Sequence, residues 1–255
     1  MAKTFLVSGA GTGIGRAIAQ SLAANPAVEL VLLGRRPAPL EETRRSLPRS
    51  ERHLVVSASQ SDRLELHDAL ESLELPERNL AGVIANAGVG GGNAYGEDDR
   101  WDEIIQMNLT GTYLLINECL PALRASSEPV KHVVIVSSIL ARLGVPGYTA
   151  YCASKAGLLG MTRSMASAWA SEKIHVNAVC PGWVNTEMAR EGIRQFAAAS
   201  KQTYEQALAM QMAMVPTGRM SEPEEVGGLV AFLVSGSQRS FTGQTIDINN
   251  GALMP

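Results

Sequence analysis

Short aliphatic runs alternate with longer segments of helical periodicity along the whole chain. Most runs are apolar at every position rather than at every second one, which is typical of strands covered on both faces. Strands that alternate with helices form right-handed βαβ units. The pattern therefore predicts an α/β fold, a single-domain Rossmann-type doubly wound parallel sheet of about seven strands flanked by helices. The predicted strands span residues 4–8, 30–33, 54–56, 83–86, 133–137, 176–179 and 245–248.

The segments between these runs predict helices over residues 14–25, 64–73, 101–120, 151–171 and 222–234. The last helix has a marked start, with Ser221 as the expected cap, Pro223 in the first turn and Glu224 at the third helical position. Because no repeat or linker interrupts the pattern, residues 1–255 are expected to form one domain.

Segment 187–215 is too long for an ordinary loop and is rich in Ala and Met. It is expected to form one or two mobile helices that act as a substrate-binding lid within the domain. Its methionines fit either the core or an interface, or an adaptable apolar cover over a substrate. These residues are Met188, Met210, Met212 and Met214.

Composition excludes several classes of protein. With 45% hydrophobic residues among 255, the chain can bury a large core and is not disordered. The net charge of −3, from 22 basic and 25 acidic residues, gives no footprint for nucleic acid. No apolar stretch reaches the length of about 18 residues that a membrane span needs, and the start of the chain lacks a signal-peptide core. The three cysteines and four histidines form no metal-binding spacing, so no metal is expected. The thiols are expected to be reduced, as they are in the cytosol.

A glycine-rich turn follows the first predicted strand and opens the first helix. Its glycines fit GxxxGxG as Gly9, Gly13 and Gly15, and they do not fit GxGxxG. Glycine permits a sharp turn and close approach to a ligand, and the free N–H groups of a helix start favour a pyrophosphate. Placement between strand and helix favours dinucleotide binding over a purely structural turn. The expected contacts are Gly9, Gly11, Thr12, Gly13, Ile14 and Gly15.

The end of the second strand predicts which dinucleotide is bound. NAD sites usually place a carboxylate there for the ribose 2′-hydroxyl, whereas this chain has Gly34 followed by Arg35 and Arg36. An arginine can hold a 2′-phosphate by charge-assisted hydrogen bonds worth roughly 1.5–3 kcal/mol. The sequence therefore predicts NADP(H) in preference to NAD(H), with Arg35 as the better contact; the alternative is a pair of solvated surface arginines.

The pair Tyr151 and Lys155 is the main candidate for chemistry. Positions i and i+4 share a helix face, so the ammonium is expected beside the phenol. A neighbouring ammonium and a cationic nicotinamide would favour the phenolate, and lowering the pKa of a phenol by ~3 units needs about 4 kcal/mol. The tyrosine could then exchange a proton with an alcohol oxygen while hydride moves at carbon. The alternative is an exposed helix pair of no function.

Two nearby features favour the functional interpretation. The fifth strand ends in Ser137 and Ser138, and active sites of open α/β sheets lie at the carboxyl ends of strands. A hydroxyl there could bond a substrate oxygen. Asn108 lies within a helix-like run where asparagine is mildly unfavourable, so it is expected to hold water or backbone for a proton path.

Together these residues resemble the short-chain dehydrogenase/reductases of the single-domain type. The matching positions follow the family's order over nearly the whole chain: Gly9, Gly13, Gly15, Asn86, Ala87, Gly88, Asn108, Ser138, Tyr151, Lys155, Pro181, Gly182 and Thr186. Two departures occur, since Ala85 replaces the first Asn of Asn-Asn-Ala-Gly, and Ser59-Gln60 replaces Asp-Val at the adenine site.

The resemblance implies roles for these residues. Tyr151 is the general acid/base, Ser138 rather than Ser137 orients the substrate, Lys155 bonds the nicotinamide ribose, and Asn108 supports a water relay. The Asn86-Ala87-Gly88 turn lies beside the cofactor, and hydride of the pro-S side is transferred. Cofactor contacts extend to Pro181, Gly182, Val184 and Thr186, the last and the backbone of Val184 holding the carboxamide.

The resemblance also implies a substrate class and an assembly. Residues 216–226 look like those of 3-oxoacyl thioester reductases, whereas the long lid is similar to hydroxyacyl-CoA dehydrogenases and aromatic polyketide ketoreductases. A bulky, apolar ketone is expected, as a thioester or a cyclic or aromatic compound. A homotetramer is implied, and small residues on the Tyr151 helix would permit close contact: Ala153, Ala156, Gly157, Gly160, Ser164 and Ser167.

Two rival functions share the fold. A non-catalytic NADP(H) sensor has no need of Ser138, Tyr151 and Lys155 together. A sugar-nucleotide epimerase normally has a longer chain with a substrate subdomain. Of the remaining residues, Tyr148 is expected to line the pocket and Cys152 to pack its helix.

Overall fold

The sheet has the predicted class and strand number. The computed structural model describes residues 2–254. Seven strands form one sheet in the order β3-β2-β1-β4-β5-β6-β7, and every neighbouring pair is parallel. The strands are β1 (Lys3–Ser8), β2 (Val28–Gly34), β3 (Leu54–Ser57), β4 (Leu80–Ala85), β5 (Lys131–Val136), β6 (Ile174–Pro181) and β7 (Thr245–Ile248).

The strand order reverses between β1 and β4. Chain connections run outward from β1 to β3 on one side and from β4 to β7 on the other. In open α/β sheets the crevice at the carboxyl ends of the strands beside such a reversal is the usual binding position. The predicted strands for β4 and β5 extend one residue too far, because Asn86 and Ser137 lie in the loops beyond Ala85 and Val136.

Helices cover both faces of the sheet. The prediction found the positions of α1, α3, α6 and α9 and missed α2. Most residues of α2 are polar or proline, and Leu40 is its one fully buried apolar side chain. Their bounds are α1 (Gly13–Ala23), α2 (Pro37–Ser46), α3 (Arg63–Glu71), α4 (Trp101–Ile105), α5 (Gly111–Ala125), α6 (Thr149–Trp169), α7 (Glu187–Ser200), α8 (Tyr204–Ala213) and α9 (Pro223–Leu233).

Successive strand residues point to opposite faces, and this builds two core layers. Leu6 of β1 packs with Leu66 of α3 and Leu115 of α5 on one face. Its neighbours Phe5 and Val7 pack on the other face, in the layer that α1, α2 and α9 complete. Both layers consist of buried and mostly aliphatic side chains, which explains why the strands lack polar alternation.

The predicted helix over residues 101–120 is interrupted. A π-helical turn, Gln106–Thr110, separates α4 from α5. The single extra residue of such a turn is a common feature of functional sites. Here it turns Asn108 toward Val89, with which its side chain makes two hydrogen bonds.

The predicted cap of the last helix is wrong by one residue. Ser221 pairs with Val184 in an isolated bridge, because its N–H and C=O are bonded to Trp183 and Asn185. Glu222 is the N-cap instead, and it forms a reciprocal capping box with Glu225. The pKa of Glu225 is lowered to about 2 by its hydrogen bonds with Arg219 and with the backbone of Glu222.

Segment 187–215 forms two helices, as predicted. Helices α7 and α8 pack on each other through a small cluster around Ile193, Ala197 and Ala207. Of the methionines in this segment, Met188, Met210 and Met214 are exposed, which is inconsistent with a place in the core of this chain. None of the helices described within residues 2–254 combines the length and apolar character needed to cross a bilayer.

Candidate active site

The turn between β1 and α1 can hold only glycine at two of its positions. Gly9 has a φ of +66°, and a Cβ there would lie 2.9 Å from the Cα of Ala87. A Cβ on Gly15 would collide with the carbonyl oxygen of Gly9. Both glycines are therefore required by the close packing of the turn against itself and against the loop after β4.

A turn of β4 is bonded directly to this glycine turn. The hydroxyl of Ser8 accepts hydrogen bonds from the N–H groups of Asn86 and Ala87, at 3.1 and 3.0 Å. The side chain of Asn86 donates to the carbonyl oxygen of Ser8 at 3.0 Å. The predicted Asn86-Ala87-Gly88 turn thus stabilises the end of β1 beside the predicted dinucleotide site.

Helix α2, which the sequence pattern missed, supports the glycine turn from the other side. Arg16 donates to the carbonyl oxygen of Gly11 at 2.8 Å and to the Thr43 hydroxyl at 3.1 Å. The Thr43 hydroxyl donates to the carbonyl oxygen of Ala10 at 3.0 Å. Both residues position the turn without any motif in the sequence that would mark them.

A cavity of about 310 Å³ runs along this edge of the sheet. It extends from Arg35 and Arg36 at the end of β2 to Tyr151 and Lys155 on α6. Fourteen of the predicted cofactor contacts line it: Gly9, Gly11, Thr12, Gly13, Ile14, Gly15, Arg35, Arg36, Asn86, Ala87, Gly88, Tyr151, Lys155 and Thr186.

Three predicted cofactor contacts are absent from the cavity wall. Pro181 is the last residue of β6 and pairs with Ile248. Gly182 lies against Asn249, since a Cβ there would be 3.0 Å from the Cα of that residue. Val184 is buried in its bridge with Ser221. The backbone of these three residues is paired with β7 and with Ser221.

The groups along the cavity are suited to the phosphates of a nucleotide. Thr12 is the N-cap of α1 and makes no side-chain cap hydrogen bond within the described residues. The first N–H groups of the helix are therefore available to an anion. Arg35 and Arg36 are exposed at the far rim, where a further phosphate would meet two cations.

Tyr151 lines the inner end of the cavity, and Ser138 lies next to it. The Ser138 hydroxyl is close enough to the phenol to lower its pKa, and the Ser138 oxygen accepts from the N–H of Leu140 at 3.1 Å. Ser137 lines the cavity too, but its hydroxyl is engaged by the carbonyl oxygen of Lys155, to which it donates at 2.9 Å. The role of Ser138 as the substrate-orienting hydroxyl stays a prediction.

Lys155 lies one helical turn beyond Tyr151 on the same face of α6. Its Nζ is 5.6 Å from the centroid of the Tyr151 ring and donates to the carbonyl oxygen of Val136 at 3.0 Å. The residue is 6% exposed, so the alternative of an exposed helix pair does not apply.

The expected lowering of the pKa of Tyr151 does not arise from the protein groups. Burial raises the pKa of Tyr151 to about 12, and the hydrogen bond with Ser138 opposes this rise only in part. Burial also lowers the pKa of Lys155 to about 8, so this lysine loses its proton more readily than an exposed one. Within the chain, the phenol is therefore kept protonated, the form that can donate a proton.

Asn108 binds backbone, one of the two expected roles. Its Oδ1 accepts from the N–H of Val89 at 2.8 Å, and its Nδ2 donates to the carbonyl oxygen of Val89 at 3.0 Å and to the Ser154 hydroxyl at 3.2 Å. A Cβ on Gly88 would lie 3.0 Å from Asn108 and 3.7 Å from Lys155 Nζ. Asn108 thereby joins the loop after β4 to α6.

Gln60, one of the departures from the family pattern, is a structural connector. Its Nε2 donates to the carbonyl oxygens of Ala87 and Met107, each at 3.1 Å. The side chain therefore ties the Asn86-Ala87-Gly88 turn to the π turn of Asn108. Its spacing from those residues gives no hint of this role in the sequence.

Helix α7 begins at the cavity. Thr186 caps α7 by accepting from the N–H of Ala189 at 3.3 Å, and a Cβ on Gly13 would lie 3.1 Å from its methyl group. Met188 also lines the cavity, and its sulfur would lie 2.9 Å from a Cβ on Gly90. The start of α7 thus lies against both the glycine turn and the loop after β4.

Two further residues support the helix rather than the cavity. Tyr148 is not on the described cavity wall and packs edge-on against Tyr151, with ring centroids 6.5 Å apart. The Cys152 thiol donates to the carbonyl oxygen of Leu143 at 3.4 Å, in agreement with a packing role.

Comparisons with known proteins agree with this geometry. A family model described as enoyl-(acyl carrier protein) reductase matches residues 9–252. The 3-oxoacyl-[acyl-carrier-protein] reductase of Salmonella typhimurium is 30% identical, with 99% of this chain and 98% of the relative covered.

Solved structures of two reductases have the same fold as this chain. A variant of actinorhodin polyketide ketoreductase with NADPH superposes with a TM-score of 0.91 at 28% identity, covering 98% of this chain and 97% of that one. Levodione reductase superposes with a TM-score of 0.88 at 25% identity, covering 98% and 96%. With the glycine turn and the Ser138, Tyr151 and Lys155 cluster in place, the chain belongs to the short-chain dehydrogenase/reductase family and is an oxidoreductase of that family.

Proposed function

We propose that this protein is an NADP(H)-dependent reductase that interconverts a ketone and a secondary alcohol. One observation carries the proposal: Tyr151, with the Ser138 hydroxyl next to it, and the buried Lys155 lie at one end of a cavity that the glycine turn also lines. Two hydroxyl donors that converge are suited to a single carbonyl oxygen.

In the reduction direction, the Ser138 hydroxyl would donate a hydrogen bond to the carbonyl oxygen of the ketone. The bound nicotinamide would supply hydride to the carbonyl carbon. Tyr151 would then transfer its proton to the oxygen, which completes the alcohol. The raised pKa of Tyr151 supports this role, since it keeps the proton on the phenol until the developing alkoxide removes it.

Lys155 is proposed to bond the ribose of the nucleotide. Its ammonium has one backbone acceptor, the carbonyl of Val136, which leaves further N–H donors for ribose hydroxyls. A positive charge that stays beside Tyr151 would also stabilise the phenolate left after proton transfer. Asn108 would support this arrangement by holding Val89 and α6 in register, and with them any water relay.

The preference for NADP(H) over NAD(H) rests on the end of β2. Gly34 provides no carboxylate for a ribose 2′-hydroxyl, and Arg35 and Arg36 both reach the cavity. The solved relative with NADPH is consistent with this preference.

For the substrate, we propose a 3-oxoacyl thioester or another bulky apolar ketone. The relatives that support this are named for 3-oxoacyl-[acyl-carrier-protein] reduction and polyketide ketoreduction. Levodione reductase supports the alternative, a cyclic ketone or secondary alcohol. Helices α7 and α8 are proposed to cover the substrate as a lid within a single domain, and the exposed Met188 at the cavity would supply an adaptable apolar surface.

We further propose that the protein is a homotetramer. The small residues Ala153, Ala156, Ser164 and Ser167 of α6 are exposed, and Trp101 and Tyr113 of the neighbouring helices are exposed too. Gly157 is a partial exception, because Leu109 of the same chain lies against it. The three unpaired thiols fit a reducing compartment such as the cytosol.

The proposal is tested by following the absorbance of NADPH with a panel of carbonyl compounds. The panel contains acetoacetyl thioesters, simple cyclic ketones and, because of the family model's description, a crotonyl thioester. We expect turnover of a ketone and a loss of about 10²–10⁴-fold in kcat for Tyr151→Phe. Tyr113→Phe, on the exposed face of α5, is the matched control.

Several results would contradict the proposal. Binding of NADPH without turnover of any ketone would favour the redox sensor, and turnover of the crotonyl thioester alone would favour an enoyl reductase. Equal rates with acetoacetyl thioesters and simple cyclic ketones would remove the thioester assignment.

A further inference from the structure

The loop that follows β4 is bonded to the first turn of α6, the helix of Tyr151. At the centre of this junction is Asn93, which is only 6% exposed although it lies in a loop. Its N–H donates to the carbonyl oxygen of Gly147 at 2.7 Å. A Cβ on the preceding residue, Gly92, would lie 2.8 Å from the same oxygen, so the two loops approach as closely as backbones can.

The side chain of Asn93 supplies a helix cap that α6 lacks by itself. Tyr148 is the N-cap of α6 and provides no side-chain cap among the described residues. The N–H of Ala150 belongs to the first helical turn, where no intrahelical acceptor exists. Ala150 is 0% exposed, so water does not reach it, and its N–H donates instead to Asn93 Oδ1 at 3.0 Å.

The other half of the Asn93 amide is bonded to the start of α4. Nδ2 donates to Asp99 Oδ1 at 3.0 Å, and the same oxygen accepts from the N–H of Trp101 at 3.1 Å. One amide therefore joins the start of α6 to the helix that leads to the π turn of Asn108. A second bond at this junction, between Tyr95 Oη and Thr149 Oγ1 at 2.5 Å, reinforces it.

We infer that Asn93 is a positioning residue, which fixes the first turn of α6 and with it the place of the Tyr151 hydroxyl relative to Ser138. Tyr151 directly follows Ala150, the residue that Asn93 holds. Displacement of a reacting group by about 1 Å can reduce a rate about 100-fold. This inference rests on the proposed function, because it assigns Asn93 an effect on the proton transfer by Tyr151.

The first test compares two buried asparagines. Asn177 of β6 resembles Asn93 in donating one hydrogen bond, to the carbonyl oxygen of Phe241, and accepting one, from the N–H of Gln244. It does not line the cavity. We expect Asn93→Ala to lower kcat by about 10–100-fold with the dissociation constant of NADPH changed less than about 3-fold, whereas Asn177→Ala keeps kcat within about 3-fold.

A double exchange tests the geometry without removing the hydrogen bonds. In Asn93→Asp with Asp99→Asn, a carboxylate can still accept from Ala150, and the new amide can donate to it and accept from Trp101. We expect this variant to recover kcat to within about 3-fold of the original protein. Asn93→Asp alone should lose activity at neutral pH, because two carboxylates would then face each other, and regain part of it at lower pH as they share a proton.

Amide hydrogen exchange of residues 147–152 gives a readout without turnover. We expect faster exchange there in Asn93→Ala and not in Asn177→Ala, since the lost cap frees the first turn of α6. The same kcat and exchange for both alanine variants would overturn the inference, as would an inactive but folded double exchange. If Asn93→Ala does not fold, the double exchange alone decides.

The failure of the proposed function is distinguishable from the failure of this inference. Full activity of Tyr151→Phe would remove the proposed function, whatever Asn93 does. A strongly impaired Tyr151→Phe with unimpaired Asn93→Ala would remove only the positioning role.

Discussion

A lysine is buried at each end of β5, and the two have different surroundings. Lys131 begins the strand, and its Nζ donates to the carbonyl oxygen of Glu172 at 2.8 Å. Lys155 packs at the other end, where its Nζ donates to the carbonyl oxygen of Val136 at 3.0 Å. They are 7% and 6% exposed, and burial lowers the pKa of both.

What differs is the space in front of each ammonium. Lys155 lines the large cavity together with Tyr151, whereas Lys131 does not contribute to its wall. Beside Lys131 lie two histidines, His132 and His175, whose rings are edge-on with centroids 6.0 Å apart. The lowered pKa of Lys131, at the amino end of the sheet, thus reflects burial. The lowered pKa of Lys155, at the carboxyl end, coincides with a cavity that could hold a substrate.

The largest expected effect comes from removing each lysine in turn. Lys155→Met should lower kcat/KM by about 10²–10⁴-fold, because the phenolate and the ribose both lose their cation. Lys131→Met should leave kcat/KM nearly unchanged and lower the free energy of unfolding by about 1 kcal/mol, through the lost hydrogen bond. Steady-state kinetics and urea unfolding measure both variants, and similar kinetic losses would show that the comparison is mistaken.

A second experiment tests the cofactor preference at the outer end of the cavity. Gly34→Asp combined with Arg35→Leu should shift the ratio of kcat/KM for NADPH over NADH by about 10–100-fold toward NADH, since a 2′-phosphate loses a charge-assisted bond and meets a carboxylate. Arg45→Leu, at an exposed position of α2, is the control. An unchanged ratio would mean that Arg35 is only a surface charge.

The smallest effect concerns the amino edge and appears in stability rather than in activity. Burial lowers the pKa of His132 to about 4, with His175 and Lys3 adding to the shift. The unfolded chain therefore binds the additional proton first as pH falls below about 6.5, and stability decreases until the pH reaches the folded-state pKa.

The proton uptake of His132 is expected to lower the free energy of unfolding by about 2 kcal/mol between about pH 7.5 and about pH 5. Urea unfolding at both pH values should show a smaller loss for His132→Leu. His67→Gln is the control, because a hydrogen bond with Glu118 raises the pKa of His67, the opposite sign. Equal losses in the original protein and His132→Leu would exclude His132 as the cause.

Local features account for most of what could be predicted. The class of the fold, the strand number and the helices α1, α3, α6 and α9 follow from periodicity, because a strand between two helix layers must be apolar throughout. The glycine turn could be found because its backbone excludes side chains at Gly9 and Gly15. Tyr151 and Lys155 share a helix face through their spacing alone.

Other features depend on contacts between distant segments, and the sequence pattern could not supply them. Helix α2 was missed because it is mostly polar and contributes through Thr43, which bonds the glycine turn and Arg16 of α1. The predicted helix over residues 101–120 was interrupted because Asn108 binds the backbone of Val89. Ser221 lost its predicted capping role because its backbone is already bonded to the Val184 segment.

By itself, the order of residues determined that this chain folds as a doubly wound sheet with a nucleotide turn at one edge and a hydroxyl, a phenol and an ammonium near it. Only the tertiary structure decided that Ser138 lies beside Tyr151, that burial raises the pKa of the phenol, and that Gln60 and Asn93 connect loops far apart in the chain. The physical reason is that periodicity and spacing act within one element, whereas hydrogen-bond partners and burial are set by how the elements pack.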